Sequence, residues 1–429
     1  AIPVLFQQGI KGCMASISII QRQRTEVFVM KAGLRLRIRR YTTAAVGVLF
    51  AFALVVFPKN TFQASLEGVK LWFDVILPAL FPFLVTAELL IRFGVIHWLG
   101  TLLEPVMYPL FRIPGAGAAA LAMGLASGFP LGAKVTADLR RNQLISRVEA
   151  ERLVSFANTA SPLFIAGAVA VGMLGRPETA LALLAAQYAA TLAVGICMRF
   201  HGSFEQKHKP HNKTNALFNT RAKVDSFGSI FYEVVLNSFK SLIFIGGCIT
   251  FFSVLARTLS VVGIIPLLAR LTASVFGVLG INAELAGAAI AGILEIDIGI
   301  QAISMANATP IQQLVAVSAV IGWSGLSVHA QVAAMLQGTD ISIKPYIVGR
   351  IIHAVCAGTA AALLYRPAGY LWESLSHTIP AIAGLGQACV SIPTVLFVSL
   401  AAAGLTTAVI VLLALFAVIV NRIVIFRIK

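Results

Sequence analysis

Gly115-Ala-Gly-Ala-Ala-Ala-Leu-Ala-Met-Gly-Leu-Ala-Ser127-Gly-Phe-Pro-Leu-Gly-Ala-Lys134-Val-Thr-Ala-Asp-Leu-Arg-Arg141 is the stretch that decides how this chain is read. Its first half is small and apolar, its middle breaks at Ser127-Gly128-Phe129-Pro130, and its end is polar. A helix that crosses a bilayer needs about 20 consecutive apolar residues. The stretch is too short for two such spans and too interrupted for one, so it reads as a re-entrant hairpin of two half-helices. Non-helical backbone at membrane depth is tolerated only where protein or a water-filled cavity satisfies it. Gly128 gives the turn its backbone freedom, and Pro130 suits the first turn of the second half-helix, where its missing N–H costs nothing.

The rest of the chain agrees that the solvent is lipid. Of 429 residues 58% are hydrophobic and 12% charged, with mean hydropathy +0.89; a soluble domain carries about 25% charged residues. The net charge of +16 is gathered in Arg22 to Arg40, Lys134 to Arg152, Arg199 to Lys223 and Arg422 to Lys429. Lys and Arg concentrate in cytoplasmic loops, which accounts for most of the excess, and no nucleic-acid motif accompanies it. Cys13, Cys197, Cys248, Cys356 and Cys389 are scattered through mostly apolar runs, without metal-ligand spacing. No Walker loop, nucleophile elbow or zinc motif is present, so the sequence offers no catalytic residue, cofactor or metal, and enzyme activity is not expected.

Self-similarity organises the chain. Residues 61–199 and 226–365 overlay at an offset of about 168. Each copy runs through an apolar span (Leu71 to Ile96; Leu236 to Ile265), an amphipathic piece (Leu99 to Phe111; Leu267 to Leu279) and a small-residue run (Gly115 to Gly124; Ala286 to Gly292). A hairpin break follows, then a second break (Asn158 to Ser161; Ser324 to Ser327) and a plain span (178–199; 345–365). Three true crossings per copy, an odd number, invert the second copy relative to the first. The expected fold is an all-α polytopic membrane protein of two inverted repeats, each with a re-entrant hairpin and a broken helix, about eight crossings in all.

The expected order is a basic N-terminal segment 1–41, a first span 42–60, the repeat 61–199, a basic loop 200–225, the repeat 226–365, and a C-terminal segment 366–429 with a last span at 394–420. Residues 1–29 read either as upstream translation, because Met30-Lys31 resembles a start, or as a cytoplasmic tail. The run 42–57 reads as a retained signal anchor. Basic segments then fall inside at both termini and in the 200–225 loop.

Four symmetric breaks point to a binding site near the midplane. Candidate substrate-binding residues in the first repeat are Ser127, Gly128, Phe129, Pro130, Gly132 and Lys134 at the hairpin, with Asn158, Ser161 and Pro162 at the second break. Ser161 is placed to cap and Pro162 to start the next half-helix, and helix N-termini attract anionic groups. The matching residues of the second repeat are Ser324, Ser327, His329 and Gln331. Ser327 and Gln331 share one helix face, and the Ser324-Gly-Leu-Ser327 stretch is expected to be unwound. Glu295 and Asp297 lie at the second hairpin; carboxylates within a membrane are costly and are candidates for ion coupling by proton or sodium, unless the tip is simply wet. Arg350 and His353 are expected at the interface, with Arg350 snorkelling to headgroups. Arg140-Arg141 and the helix Ser146 to Arg152 are expected to form a solvated cytoplasmic face.

Ser127-Gly-Phe-Pro-Leu-Gly-Ala-Lys134, Ile145-Ser-Arg-Val-Glu-Ala-Glu-Arg-Leu153, Phe156-Ala-Asn-Thr-Ala-Ser-Pro-Leu-Phe164 and Gly325-Leu-Ser-Val-His-Ala-Gln-Val332 together resemble the YlbJ (SpoVV) family of sporulation integral membrane proteins. The resemblance runs from about Met30 to about Tyr370. The family carries the nucleoside-recognition gate domain and is distantly similar to concentrative nucleoside transporters. The resemblance implies passage of dipicolinic acid across the outer forespore membrane of a spore-forming bacterium. Half-helix N-termini and Lys134 would then offset two carboxylate charges. Another small solute such as a nucleoside on the same scaffold, or a non-transporting sporulation scaffold, remain as alternatives. The partners implied are the small-molecule substrate, membrane lipid and a coupling proton or sodium, with homo-oligomer formation open.

Overall fold

The computed structural model describes residues 41, 44, 45, 47–93, 107–202, 226–278 and 280–378. Those residues fall into two compact units, one ending at Thr61 and the other beginning at Phe62. In the first unit, α1 (Gly47–Val56) ends at Phe57, directly before Pro58. A proline has no N–H to donate and disfavours helix in the residue before it. Thr61 Oγ1 donates to the carbonyls of Phe57 and Pro58 and steadies the restart. The expected segments 1–40 and 394–420 lie outside the described residues.

All regular structure among the described residues is helical. α2 (Pro58–Leu71) passes through a π-helical turn (Trp72–Ile76) into α3 (Leu77–Arg92). Next come the hairpin α4 (Gly117–Ser127) and α5 (Leu131–Arg141), the broken helix α6 (Arg147–Ala157) and π-helical α7 (Phe164–Met173), and the plain α8 (Ala180–Met198). The same order follows: α9 (Phe227–Val261), the short α10 (Ile264–Val278), the hairpin α11 (Glu284–Leu294) and α12 (Ile296–Met305), the broken α13 (Pro310–Trp323) and α14 (Gly325–Met335), and α15 (Ile343–Thr378). Among the described residues, four helical stretches are long and apolar enough to cross a membrane: Pro177–Met198, Phe227–Val261, Pro310–Met335 and Ile343–Glu373.

The inversion is visible in two ion pairs. In the second half of α2, Glu67 bonds Arg257 near the end of α9 (2.8 Å); at the end of α3, Arg92 bonds Glu233 near the start of α9 (2.9 Å). The opening helix of one repeat therefore runs antiparallel to the opening helix of the other. Trp72 Nε1 donates to Leu242 O at 2.9 Å, and Phe81 stacks on Phe239 with centroids 4.5 Å apart. Elsewhere α9 shows Phe231, Tyr232, Ile243 and Phe251 on its outside, as a lipid-facing helix should. α10 buries none of its residues and is too short to span, as its amphipathic sequence suggested.

Two apolar clusters position the site. In one, the first hairpin packs with α6 and with Val328 and Val332 of α14. In the other, the second hairpin packs with α7, α8 and α13. Each hairpin thus rests on the near half of its own broken helix and the far half of the other one. Small residues make this possible, since close packing in lipid needs short side chains. A Cβ on Gly124 or on Gly132 would overlap the Ala157 carbonyl, so both arms of the first hairpin close on the end of α6.

Candidate solute-binding site

Both helix breaks and both hairpin tips come together: Gly128 lies against Ser161, and Gly325 against Glu295. The first hairpin turns through Gly128, whose backbone lies directly against Ser161 at the first helix break. Ser161 Oγ accepts from the Phe164 amide at 3.2 Å and so caps α7, as its sequence position led us to expect. At α5 the preceding residue is Pro130, which has no side chain to offer, and no side chain caps that helix. The start of α5 therefore has no side-chain cap, and the Leu131 amide donates to the Gly128 carbonyl instead (3.1 Å).

The second hairpin solves the same problem differently. Glu295 is the hinge between α11 and α12, and its Oε2 accepts from the amides of Asp297 (2.7 Å) and Ile298 (3.0 Å). Its Oε1 accepts from Ser327 Oγ of α14 at 3.1 Å. A carboxylate at a helix N-terminus, with three donors, is a favourable arrangement. Asp297 is also buried, and its Oδ1 has no partner among the described residues. The tip is therefore buried within protein rather than wet at an interface.

A small, partly open cavity lies between these elements. Ser127, Gly128, Phe129 and Ser161 line it from the first repeat, and Glu295, Asp297 and Gln331 from the second. Ile76, Ile245 and Ile249, from the π-helical turn and from α9, form an apolar wall. That wall, with Phe164 and Val328, has no signal in the sequence beyond ordinary span residues. Ser127 Oγ is buried and unpartnered beside the cavity.

Other expected residues lie behind this surface. Pro130 and Gly132 are buried in the hairpin, Gly132 against Ala157, and Pro162 is buried at the start of the second half of its span. Asn158 donates to Tyr346 OH at 3.4 Å and leaves its Oδ1 unpartnered. His329 donates from Nδ1 to Gly325 O at 2.7 Å and packs between Trp323 and Tyr346, away from the cavity. Ser327 reaches the cavity only through Glu295. Among the described residues no cluster of three metal-ligating side chains occurs.

Four expectations need correction. Lys134 is exposed and does not line the cavity, because it sits on the outer side of α5. The break at Ser324-Gly-Leu-Ser327 is confined to Ser324 and Gly325, both left-handed (φ 74° and 68°), and Leu326 and Ser327 are already within α14. Arg350 and His353 are fully buried rather than interfacial, since the beginning of α15 is enclosed by other helices. Along Ser146 to Arg152 the Arg147–Glu151 pair forms as helical spacing predicts (2.9 Å). The face is solvated only in part: Arg141 and Arg147 are exposed, but Glu151 and Arg152 are buried, with Glu151 accepting from Ser342 N and Arg152 donating to the carbonyls of Arg112 and His201.

Comparison with known proteins places this geometry. Residues 73–177 match the family model Gate, described as nucleoside recognition. The chain is 41% identical over 337 residues to the sporulation integral membrane protein YlbJ of Bacillus subtilis (strain 168), covering 76% of this chain and 83% of that protein. Among solved structures it is similar to a variant of CNTnw in an intermediate state, at 14% identity and TM-score 0.45 over 74% of this chain and 86% of that one. A double variant of CNTnw in an outward-facing state gives 15% identity and TM-score 0.46, over 73% and 86%.

Proposed function

The chain belongs to the family of the sporulation integral membrane protein YlbJ, and on that premise we propose that it transports a small rigid dianion of the dipicolinate type. The proposed membrane is the outer forespore membrane, with both chain termini in the mother-cell cytoplasm. The observation that carries the proposal is the cavity shared by one hairpin tip from each repeat and the break at Ser161. A solute held there touches both repeats, which is what alternating access around a fixed site requires.

The chemistry of the lining sets the terms. The unpartnered hydroxyl of Ser127, at the turn of the first hairpin, suits one substrate carboxylate. Ser161 and Gln331 offer polar contacts to the other, and the Phe129 ring offers a face for a flat heterocycle. Glu295 and Asp297 line the same cavity, and none of the lining residues is basic. Like charges at short range in a poorly polarisable site repel strongly. A dianion therefore enters with protons, and Asp297, with an unpartnered oxygen, is the proposed carrier, while Glu295 stays fixed by its three donors.

Calorimetric binding of dipicolinate to the protein in nanodiscs tests this, run in two buffers of different ionisation enthalpy. Proton uptake on binding supports the coupled-anion reading; binding with no proton exchange removes Asp297 from that role. The two carboxylates also favour a second reading, a neutral hydroxyl-bearing solute such as a nucleoside. Nucleoside binding that excludes dipicolinate replaces the first reading with the second.

A further inference from the structure

Arg350 of α15 is fully buried, and its polar partners among the described residues are all uncharged. Nη1 donates to Ser324 Oγ at 3.3 Å, and Nη2 donates to Ser155 O at 3.2 Å and to His353 Nδ1 at 2.5 Å. Nε has no partner. A guanidinium so placed is costly unless something offsets its charge.

The offset lies in the helix ends that meet it. Ser155 is in the last turn of α6, and Ser324 is the residue that ends α13. A helix C-terminus carries roughly half a negative charge on its unsatisfied carbonyls. Two such ends, one from the near half of each broken helix, converge on one cation. The hydrogen bonds also fix the neighbours. Because His353 Nδ1 accepts from Arg350, its Nε2 carries the proton and donates to Gln187 Oε1 at 3.1 Å. Gln187 Nε2 then donates to Ser318 Oγ at 3.0 Å, and Ser318 Oγ donates to Ala357 O at 3.0 Å. Each donor in this chain has an acceptor, which makes the arrangement rigid.

Its reach extends to the cavity. Ser324 leads directly into Gly325, whose left-handed backbone (φ 68°) lies against Glu295 and Ile296, with no room for a side chain. Gly349, beside Arg350, lies equally close to Ser155. We propose that Arg350 is a positioning residue that locks the two broken helices to each other, so that both far halves, α7 and α14, present their starts to the cavity in fixed register. It touches no solute; its effect on binding rests on the transport reading, whereas its effect on the two breaks does not.

The test uses the full chain in nanodiscs, with hydrogen exchange read segment by segment. Arg350→Gln should speed exchange about tenfold, as loss of about one charged hydrogen bond does, at both 155–164 and 324–331, leaving α9 unchanged. Arg350→Lys, which keeps the charge, should restore most of the protection at both. Loosening at one break only, equal loosening of α9, or a Lys variant as loose as Gln would each overturn the proposal. If the Gln variant does not fold, Ser324→Ala decides: it removes one tether and keeps the charge, so 324–331 should loosen alone, and no loosening there counts against the lock. In proteoliposomes Arg350→Gln should raise the dipicolinate KM with Lys rescuing it, whereas a fall in maximal rate at constant KM means only less folded protein. Wild-type protein that takes up no dipicolinate would sink the transport reading and leave the exchange result standing.

Discussion

The Glu295 carboxylate has three donors, so the loss of one leaves it capped but less well held. Ser327→Ala should weaken solute binding by about 1 kcal/mol, roughly fivefold in Kd, without unfolding the protein; calorimetry checks both. Unchanged affinity would mean that Glu295 is indifferent to its orientation. Asp297→Asn keeps the shape of the tip and removes the proposed proton carrier. It should make solute uptake insensitive to an imposed proton gradient, and a retained gradient response would move the proton elsewhere. Glu295 and Asp297 were legible in the sequence because a carboxylate amid apolar residues stands out. Arg350 and His353 were misjudged for a physical reason: burial of the first turns of α15 comes from Ser155, Gln187 and Ser324, all distant in sequence. Lys134 erred the other way, being near the tip in sequence but on the outer face of α5.

At the scale of elements, the hairpins depend on contacts too close for any side chain. Gly124 and Gly132 both face the Ala157 carbonyl, so Gly124→Ala or Gly132→Ala must push the hairpin off α6. Each should lower stability by about 2 kcal/mol or more, in the range for overpacking, measured as the thermal unfolding midpoint in detergent. Gly287→Ala is the control: its Cβ would meet nothing nearer than Ala269 at 3.9 Å, so it should be neutral or slightly stabilising. The far end of the same hairpin is tied by charge. Arg140 bonds both oxygens of Asp340 at 2.8 Å, and Arg141 donates to the carbonyls of Met335 and Gln337 at the end of α14. The hydrogen bond from Arg140 is the main cause holding the Asp340 carboxyl below its usual range. Such a group contributes stability above its unfolded value of about 4, and the contribution is lost as pH falls through the folded value. Asp340→Asn should therefore cost less than about 1 kcal/mol at neutral pH, the pair being partly exposed, and the difference should shrink towards zero as the carboxyl protonates at acid pH. The hairpin itself was legible, since a small-residue run with a Gly-Phe-Pro break has few other uses in lipid. The short break at Ser324 and Gly325 was not, because Ser-Gly-Leu-Ser gives no sign of where the helix resumes.

Over the whole molecule, the antiparallel pairing of α2–α3 with α9 and the exchange of half-helices between the two apolar clusters produce a pseudo-twofold arrangement around one cavity. The repeat was readable because the order of unlike elements survives where identity between the copies does not. The joining of the two copies through Arg350 was not, because the groups it meets, Ser155 and Ser324, are distant from it in sequence. A protein built this way to move a solute must lose transport when the shared cavity is damaged from either side, whereas a sporulation scaffold would tolerate it. Uptake of labelled dipicolinate into proteoliposomes, under imposed proton and sodium gradients, measures that directly, with a Ser161→Ala, Ser327→Ala double variant beside the wild type. Saturable uptake by the wild type, driven by the proton gradient, unaffected by nucleosides and lost in the double variant, is the expected result. Uptake no greater than that of empty liposomes under either gradient would contradict dipicolinate transport by this chain.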